Sequence, residues 1–217
     1  MPGRRIFLFA NGDCHDLSFY RQQINPDDRV ISVNGGSRHV LEMGLRPAAV
    51  VGDVDSIDPA LRQKLEQLPL EWIRNPAIDQ EQSDLEMALE YALSLRPSEL
   101  LICGALGGTR VDHTLINLFL LILPFREGVP AKIIDERQTV QLVDRELVLP
   151  GQPGDYLSLF SLTPETTGVF TKGLKYPLTG ETLYFASTLG LSNKFVSAQA
   201  RVTVASGLLL AIQVSRP

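Results

Sequence analysis

The sequence predicts a two-part α/β protein: an N-terminal doubly wound, mostly parallel, Rossmann-like sheet over residues 1–128, then a C-terminal all-β sandwich over 129–217. Three observations predict it. Up to about residue 125, short apolar runs alternate with helical patterns at the lengths of βαβ units. Polar or glycine-rich turns follow several of those runs directly. Beyond Pro124 the helical periodicity stops, and short strands punctuated by Pro150-Gly151, Pro153-Gly154 and Ser206-Gly207 take over.

In the first part the predicted strands are 6–10, 29–33, 48–51, 71–74 and 100–103. Asn11-Gly12-Asp13, Asn34-Gly35-Gly36 and Gly52-Asp53 each come straight after a strand. Turns on that edge of an open parallel sheet form a ligand crevice, and their glycines leave backbone N–H groups open to phosphate oxygens. The segment Gly52-Asp53-Val54-Asp55-Ser56 brings two carboxylates and a hydroxyl to one such edge, with Asp58 just beyond. Carboxylates this close repel unless a cation lies among them, and hard oxygen donors suit Mg²⁺. The same residues also suit a solvated acidic turn before a helix.

Residues 79–84 lead into a helix whose apolar stripe is Leu85, Ala88, Leu89, Ala92 and Leu93. Ser83 and Glu86 have capping-box spacing, so Ser83 reads first as a cap. Asp84, in the first turn, either offsets the helix dipole or reaches a metal. Gly104 to His113 is the stretch richest in chemical groups: Gly107-Gly108 at a helix start offers a phosphate cradle, Arg110 a fixed cation and Asp112 a further carboxylate. His113 reads as a helix-packing residue, because no second His or Cys stands at ligand spacing. The helix over 115–123 is apolar nearly all round, Asn117 excepted, and so calls for cover by the sheet and by a second domain or subunit.

The second part has predicted strands at 132–134, 139–143, 146–149, 156–162, 182–185, 201–204 and 208–214. The runs 171–178 and 190–195 read as loops. In the latter, Ser192 and Asn193 present a hydroxyl and an amide suited either to a heterocycle's edge or to a plain turn.

Composition narrows the class. Hydrophobic content of 44% and charged content of 21% over 217 residues describe a soluble globular chain, and a net charge of −5 argues against nucleic acid. Cys14 and Cys103 have no paired spacing, which points to a reducing, cytoplasmic setting. The apolar run at 6–10 is too short for a signal peptide, and the longest apolar stretch, 118–123, is far short of a membrane span.

The ordered motifs resemble the thiamine pyrophosphokinase (thiamin diphosphokinase) family. They are Asn34-Gly35-Gly36, Gly52-Asp53-Val54-Asp55-Ser56, Ser83-Asp84, Gly107-Gly108 through Asp112-His113, the run 171–178, and Ser192-Asn193. Each is weak singly; their order over two unlike domains is specific. There are departures: Asn34 and Glu81 stand where Asp is usual, Thr109 lengthens the Gly-Gly-Arg spacing by one, and Lys194 replaces an acidic residue.

The resemblance implies an enzyme that transfers pyrophosphate from ATP to the hydroxyl of thiamine, giving thiamine diphosphate and AMP. It implies Asp53, Asp55 and Asp84 as Mg²⁺ residues, and Asp84, Arg110 and Asp112 as catalytic ones. Nucleotide contacts would come from Asn11, Gly12, Gly35, Gly36, Asp53, Ser56, Gly107 and Gly108, and substrate contacts from Gln80, Ser192 and Asn193. It further implies a homodimer in which the β-domain of one chain faces the crevice of the other. Two other functions suit parts of the pattern: a nucleotide-sensing binding module, and a kinase that transfers one phosphoryl group to a related alcohol.

Overall fold

The computed structural model describes residues 3–53, 57–74 and 82–216, and divides the chain into two units, Met1–Glu136 and Arg137–Pro217. The first unit carries six parallel strands in the order β6-β5-β1-β2-β3-β4: β1 Arg5–Phe9, β2 Arg29–Val33, β3 Ala49–Val51, β4 Glu71–Ile73, β5 Glu99–Cys103 and β6 Ala131–Ile134. The central ones are continuous apolar runs because both faces of a parallel sheet are covered; β5, Glu-Leu-Leu-Ile-Cys, is buried at all but its first residue. The strand at 131–134, read from the sequence as the first of the β half, instead pairs in parallel with β5. Its pattern is the same in either role, and only its partner distinguishes them.

From β1 the chain winds outward through β2, β3 and β4, then returns to the other side of β1 as β5. The winding direction therefore reverses between β1 and β5, which is where such sheets open a crevice at their C-terminal ends. One core packs Phe7, Phe9, Leu101 and Cys103 against Tyr20 of α1 (Leu17–Gln23) and Val40 of α2 (Ser37–Glu42). A second packs Val50 and Ile57 with Leu65 of α3 (Pro59–Glu66).

Local signals set the helix starts. Asp58 caps α3 by accepting the Ala60 and Leu61 N–H groups at 3.0 and 3.1 Å, with Pro59 opening the helix. That carboxylate is therefore a cap. Ser83 caps α4 (Asp84–Ser94), its Oγ accepting the Glu86 N–H at 3.2 Å. The apolar stripe of α4 is buried at Leu85, Ala88, Leu89 and Ala92, with the helix against β1, β2 and β3.

The helix expected over 115–123 is two helices, α5 (Val111–Phe119) and α6 (Ile122–Arg126), broken at Leu120-Leu121. Within this chain α5 is not covered all round: Val111 is 82% exposed, Leu115 51% and Phe119 43%.

The second unit is a β-sandwich. One set of strands runs in the order β12-β9-β14-β7 and the other β11-β10-β13-β8, with antiparallel neighbours throughout. Their ranges are β7 Gln138–Val143, β8 Glu146–Pro150, β9 Tyr156–Ser161, β10 Glu165–Lys172, β11 Thr179–Tyr184, β12 Asn193–Lys194, β13 Gln199–Thr203 and β14 Leu209–Val214. Leu157, Val169, Leu183, Phe195, Val202 and Leu209 fill the space between the layers. The strand β10 takes in Thr171 and Lys172, read from sequence as loop; Thr166, Val169 and Thr171 are its buried residues, while Phe170 is half exposed.

Candidate active site

Turns after β1, β2 and β5 meet in one open crevice of about 730 Å³. Asn11 and Gly12 enter it from β1, Asn34 and Gly35 from β2, and Gly107, Gly108 and Arg110 from the loop after β5. Close approach explains Gly12: it donates its N–H to the Gly104 oxygen at 2.7 Å, and a Cβ there would lie 2.4 Å from that oxygen. Gly52 is held at φ +120, and a Cβ on it would meet the Asn34 Oδ1 at 2.2 Å.

Asp84 enters the crevice from the first turn of α4. Its Oδ2 accepts the Asn34 Nδ2–H at 2.6 Å, and its carboxylate also accepts the backbone N–H of Asp53. Burial raises its pKa from the ordinary carboxyl value; these two donors oppose the rise, and the Asp53 charge adds to it. Asn34 is itself at φ +45, and its Oδ1 is a buried acceptor with no hydrogen-bond partner among the described residues.

Arg110 lines the crevice and is paired with exposed Asp112, its Nη2 2.5 Å and Nε 2.9 Å from the two carboxylate oxygens. The pairing holds the Asp112 carboxyl well below the usual range. Asp112 is not among the crevice-lining residues. His113 is, and it is exposed in this chain, which corrects its reading as a packing residue. One helical turn separates His113 from Asn117, whose Nδ2 donates to the Ala105 oxygen at 2.8 Å. Helix periodicity alone does not say which way α5 turns its His.

Gly36 is buried beside the crevice, in the 3₁₀ turn Asn34–Gly36. Asp55, Ser56 and Gln80 lie outside the described residues. Ser192 and Asn193 belong to the second unit. Ser192 is exposed at φ +56. Asn193, expected to face a heterocycle, is 7% exposed and committed to the backbone: Nδ2 donates to the Tyr176 oxygen at 2.6 Å, and Oδ1 accepts the Tyr176 and Lys194 N–H groups at 3.1 and 2.9 Å. It fastens the run at 171–178 instead of presenting a free amide.

The family model of the catalytic domain of thiamin pyrophosphokinase matches residues 20–133, and that of the family's vitamin B1 binding domain matches 140–209. The chain belongs to the thiamin pyrophosphokinase family.

It is 28% identical over 198 residues to the thiamine pyrophosphokinase of Bacillus subtilis, covering 84% of this chain and 86% of that one. The crystal structure of a Bacillus subtilis thiamine pyrophosphokinase superposes with a TM-score of 0.88 at 26% identity, over 99% of this chain and 100% of that one. A thiamin pyrophosphokinase from Geobacillus thermodenitrificans gives 0.85 at 26% identity, over 98% of each chain. This protein is thus a thiamine pyrophosphokinase, a transferase of a kinase family that uses ATP.

Its donor set fits a hard divalent cation. The Asp53 charge acts on the Asp84 carboxyl, and the orphaned Asn34 Oδ1 beside Gly52 is a further oxygen acceptor without a donor among the described residues. Among the described residues no three His, Cys, Asp or Glu side chains converge as a metal cluster. Asn34, where the family usually has Asp, supplies a neutral donor to Asp84 and spares the site one like charge.

Proposed function

We propose that the crevice of the first unit binds Mg-ATP and that the thiamine hydroxyl oxygen attacks its β-phosphorus. The oxygen–phosphorus bond forms as the bond to the α–β bridging oxygen breaks, AMP leaves with that electron pair, the hydroxyl proton passes to solvent, and thiamine diphosphate remains. The observation that carries this reading is the meeting of three glycine-bearing turns and the Asp84–Asn34 pair in one crevice at the switch point of the sheet.

Phosphoryl chemistry of this kind needs positioning and charge neutralisation more than covalent help from protein. Asp53, Asp55 and Asp84 would hold Mg²⁺, which when bound neutralises phosphate charge. Gly107 offers a backbone N–H group to phosphate oxygens, while Gly108, its own N–H held by Asp13, lines the nucleotide seat with Asn11, Gly12, Gly35, Gly36 and Ser56. Arg110 holds phosphate oxygens, and Asp112 is its anionic counterpart, aiming the guanidinium; a carboxylate so stabilised as an anion is a poor proton acceptor.

The second unit supplies thiamine contacts through Ser192, with Gln80 from the first unit, while Asn193 shapes the 171–178 run. We further read the protein as a cytoplasmic homodimer with composite sites. Its two cysteines are both free thiols, no helix among the described residues is long and apolar enough to cross a membrane, and α5 leaves an apolar face bare.

Thiamine, Mg-ATP and the protein, with the product nucleotide resolved by chromatography, test the reading. AMP is expected in step with thiamine diphosphate. ADP would make the enzyme a single-phosphoryl kinase, and no turnover with tight nucleotide binding would make it a sensor.

A further inference from the structure

The turn after β1 is tied to its surroundings by residues on both sides, and one tie comes from a residue outside the crevice lining. His39, on α2, is 4% exposed, and its Nε2 lies 2.9 Å from the Gly12 carbonyl oxygen. A carbonyl only accepts, so Nε2 carries the proton and donates it. One residue further along, the Asp13 carboxylate accepts the Gly108 N–H at 2.7 Å. Two hydrogen bonds, with one peptide between them, therefore connect a buried imidazole to the glycine-rich turn.

Just ahead of that turn the Asp13 N–H also donates to the Leu106 oxygen at 3.3 Å. Gly107 and Gly108 lie at φ +74 and +78, and a Cβ on Gly108 would meet nothing within 4 Å. Glycines at such angles have wide conformational freedom, so polar ties fix the turn: Asp13 at Gly108, and Thr114 Oγ1 donating to the Gly107 oxygen at 3.1 Å.

We propose that His39 is a positioning residue for nucleotide binding, acting through Gly12 and Asp13 to hold the Gly107-Gly108 turn. The proposal rests on the reading that this turn faces the phosphates. Replacing His39 by Leu removes the donor while keeping apolar bulk in the α2 core; His39→Gln keeps an N–H at similar reach.

In His39→Leu, exchange of the Gly108 amide quickens and the KM for Mg-ATP rises roughly three- to ten-fold, the size of one neutral hydrogen bond. The KM for thiamine stays put, and His39→Gln returns both readouts toward the parent. A merely structural role would lower the melting temperature and leave the two KM values in their parental ratio. Should His39→Leu fail to fold, exposed Asp13→Ala cuts the second bond without touching the core and is expected to raise the Mg-ATP KM in the same selective way. Unchanged Gly108 exchange in these variants overturns the relay. Faster exchange with an unchanged Mg-ATP KM overturns the phosphate placement on which the proposal rests.

Discussion

Asp84 sits where burial makes its charge costly. Asn34 and the Asp53 amide offset part of the cost, but the carboxyl remains raised above its ordinary value. A carboxyl raised in the folded state favours folding below the unfolded value and costs stability as pH climbs through the folded one. Asp84→Asn is therefore expected to melt higher than the parent at pH 7 in chelator, with the gain shrinking toward pH 4, while turnover falls by about 100-fold or more. Calorimetry across pH, beside the AMP assay, checks both halves; an activity near the parent's would remove Asp84 from the site. The Arg110–Asp112 pair leads to the opposite expectation. If Asp112 aims the guanidinium and does not take the hydroxyl proton, Asp112→Asn lowers kcat by less than about ten-fold, and the pH–rate profile keeps its acid limb. Loss of that limb would identify Asp112 as the base.

Each element bordering the crevice has a local reason for its end. In the turn after β1, Gly12 is required because its N–H reaches the Gly104 oxygen where no Cβ fits. Gly12→Ala is expected to push the β1 and β5 turns apart, destabilising the fold by about 1–3 kcal/mol and raising the Mg-ATP KM in the same variant. A melting curve and a KM series test it, and an unshifted KM would show that the turn does not touch nucleotide. Ser83 ends the approach to α4 with a cap. Ser83→Ala removes about 1 kcal/mol, which for a chain of this size lowers the melting temperature by about 2–4 °C. As Asp84 is the next residue, fraying there weakens activity as well.

For the whole molecule, the bare face of α5 is the feature that a single chain leaves unexplained. Val111, Leu115, Ile116 and Phe119 are exposed along it. Leu115→Glu is expected to shift a dimer to monomer in sedimentation at working concentration; a parent that is already monomeric would end the dimer reading. Composite sites make a sharper demand. When inactive Asp84→Asn protein exchanges subunits with Asn193→Ala protein, in which the 171–178 run is unfastened, each mixed dimer gathers both lesions in one centre and leaves the other intact. Recovery of up to about a quarter of parental activity is expected, and none despite proven exchange would confine each site to one chain.

The sequence by itself determined the periodicities, and with them most of the architecture. Continuous apolar runs marked β1, β2, β3 and β5, the stripe from Leu85 to Ala92 marked α4, and the Pro-Gly turns marked the sandwich. It also determined that glycine-bearing turns end several strands, since turn chemistry is local. Side-chain partners are not local, and the tertiary structure decided those. It gave 131–134 to the parallel sheet, spent Asp58 on a cap and Asn193 on the Tyr176 backbone, and turned His113 into the crevice. It also joined Asn34 to Asp84 across fifty positions of chain and set His39 under Gly12. The physical reason is the same in each case. A polar side chain's role follows from which donor or acceptor lies within about 3 Å, and the packing of distant segments sets that distance.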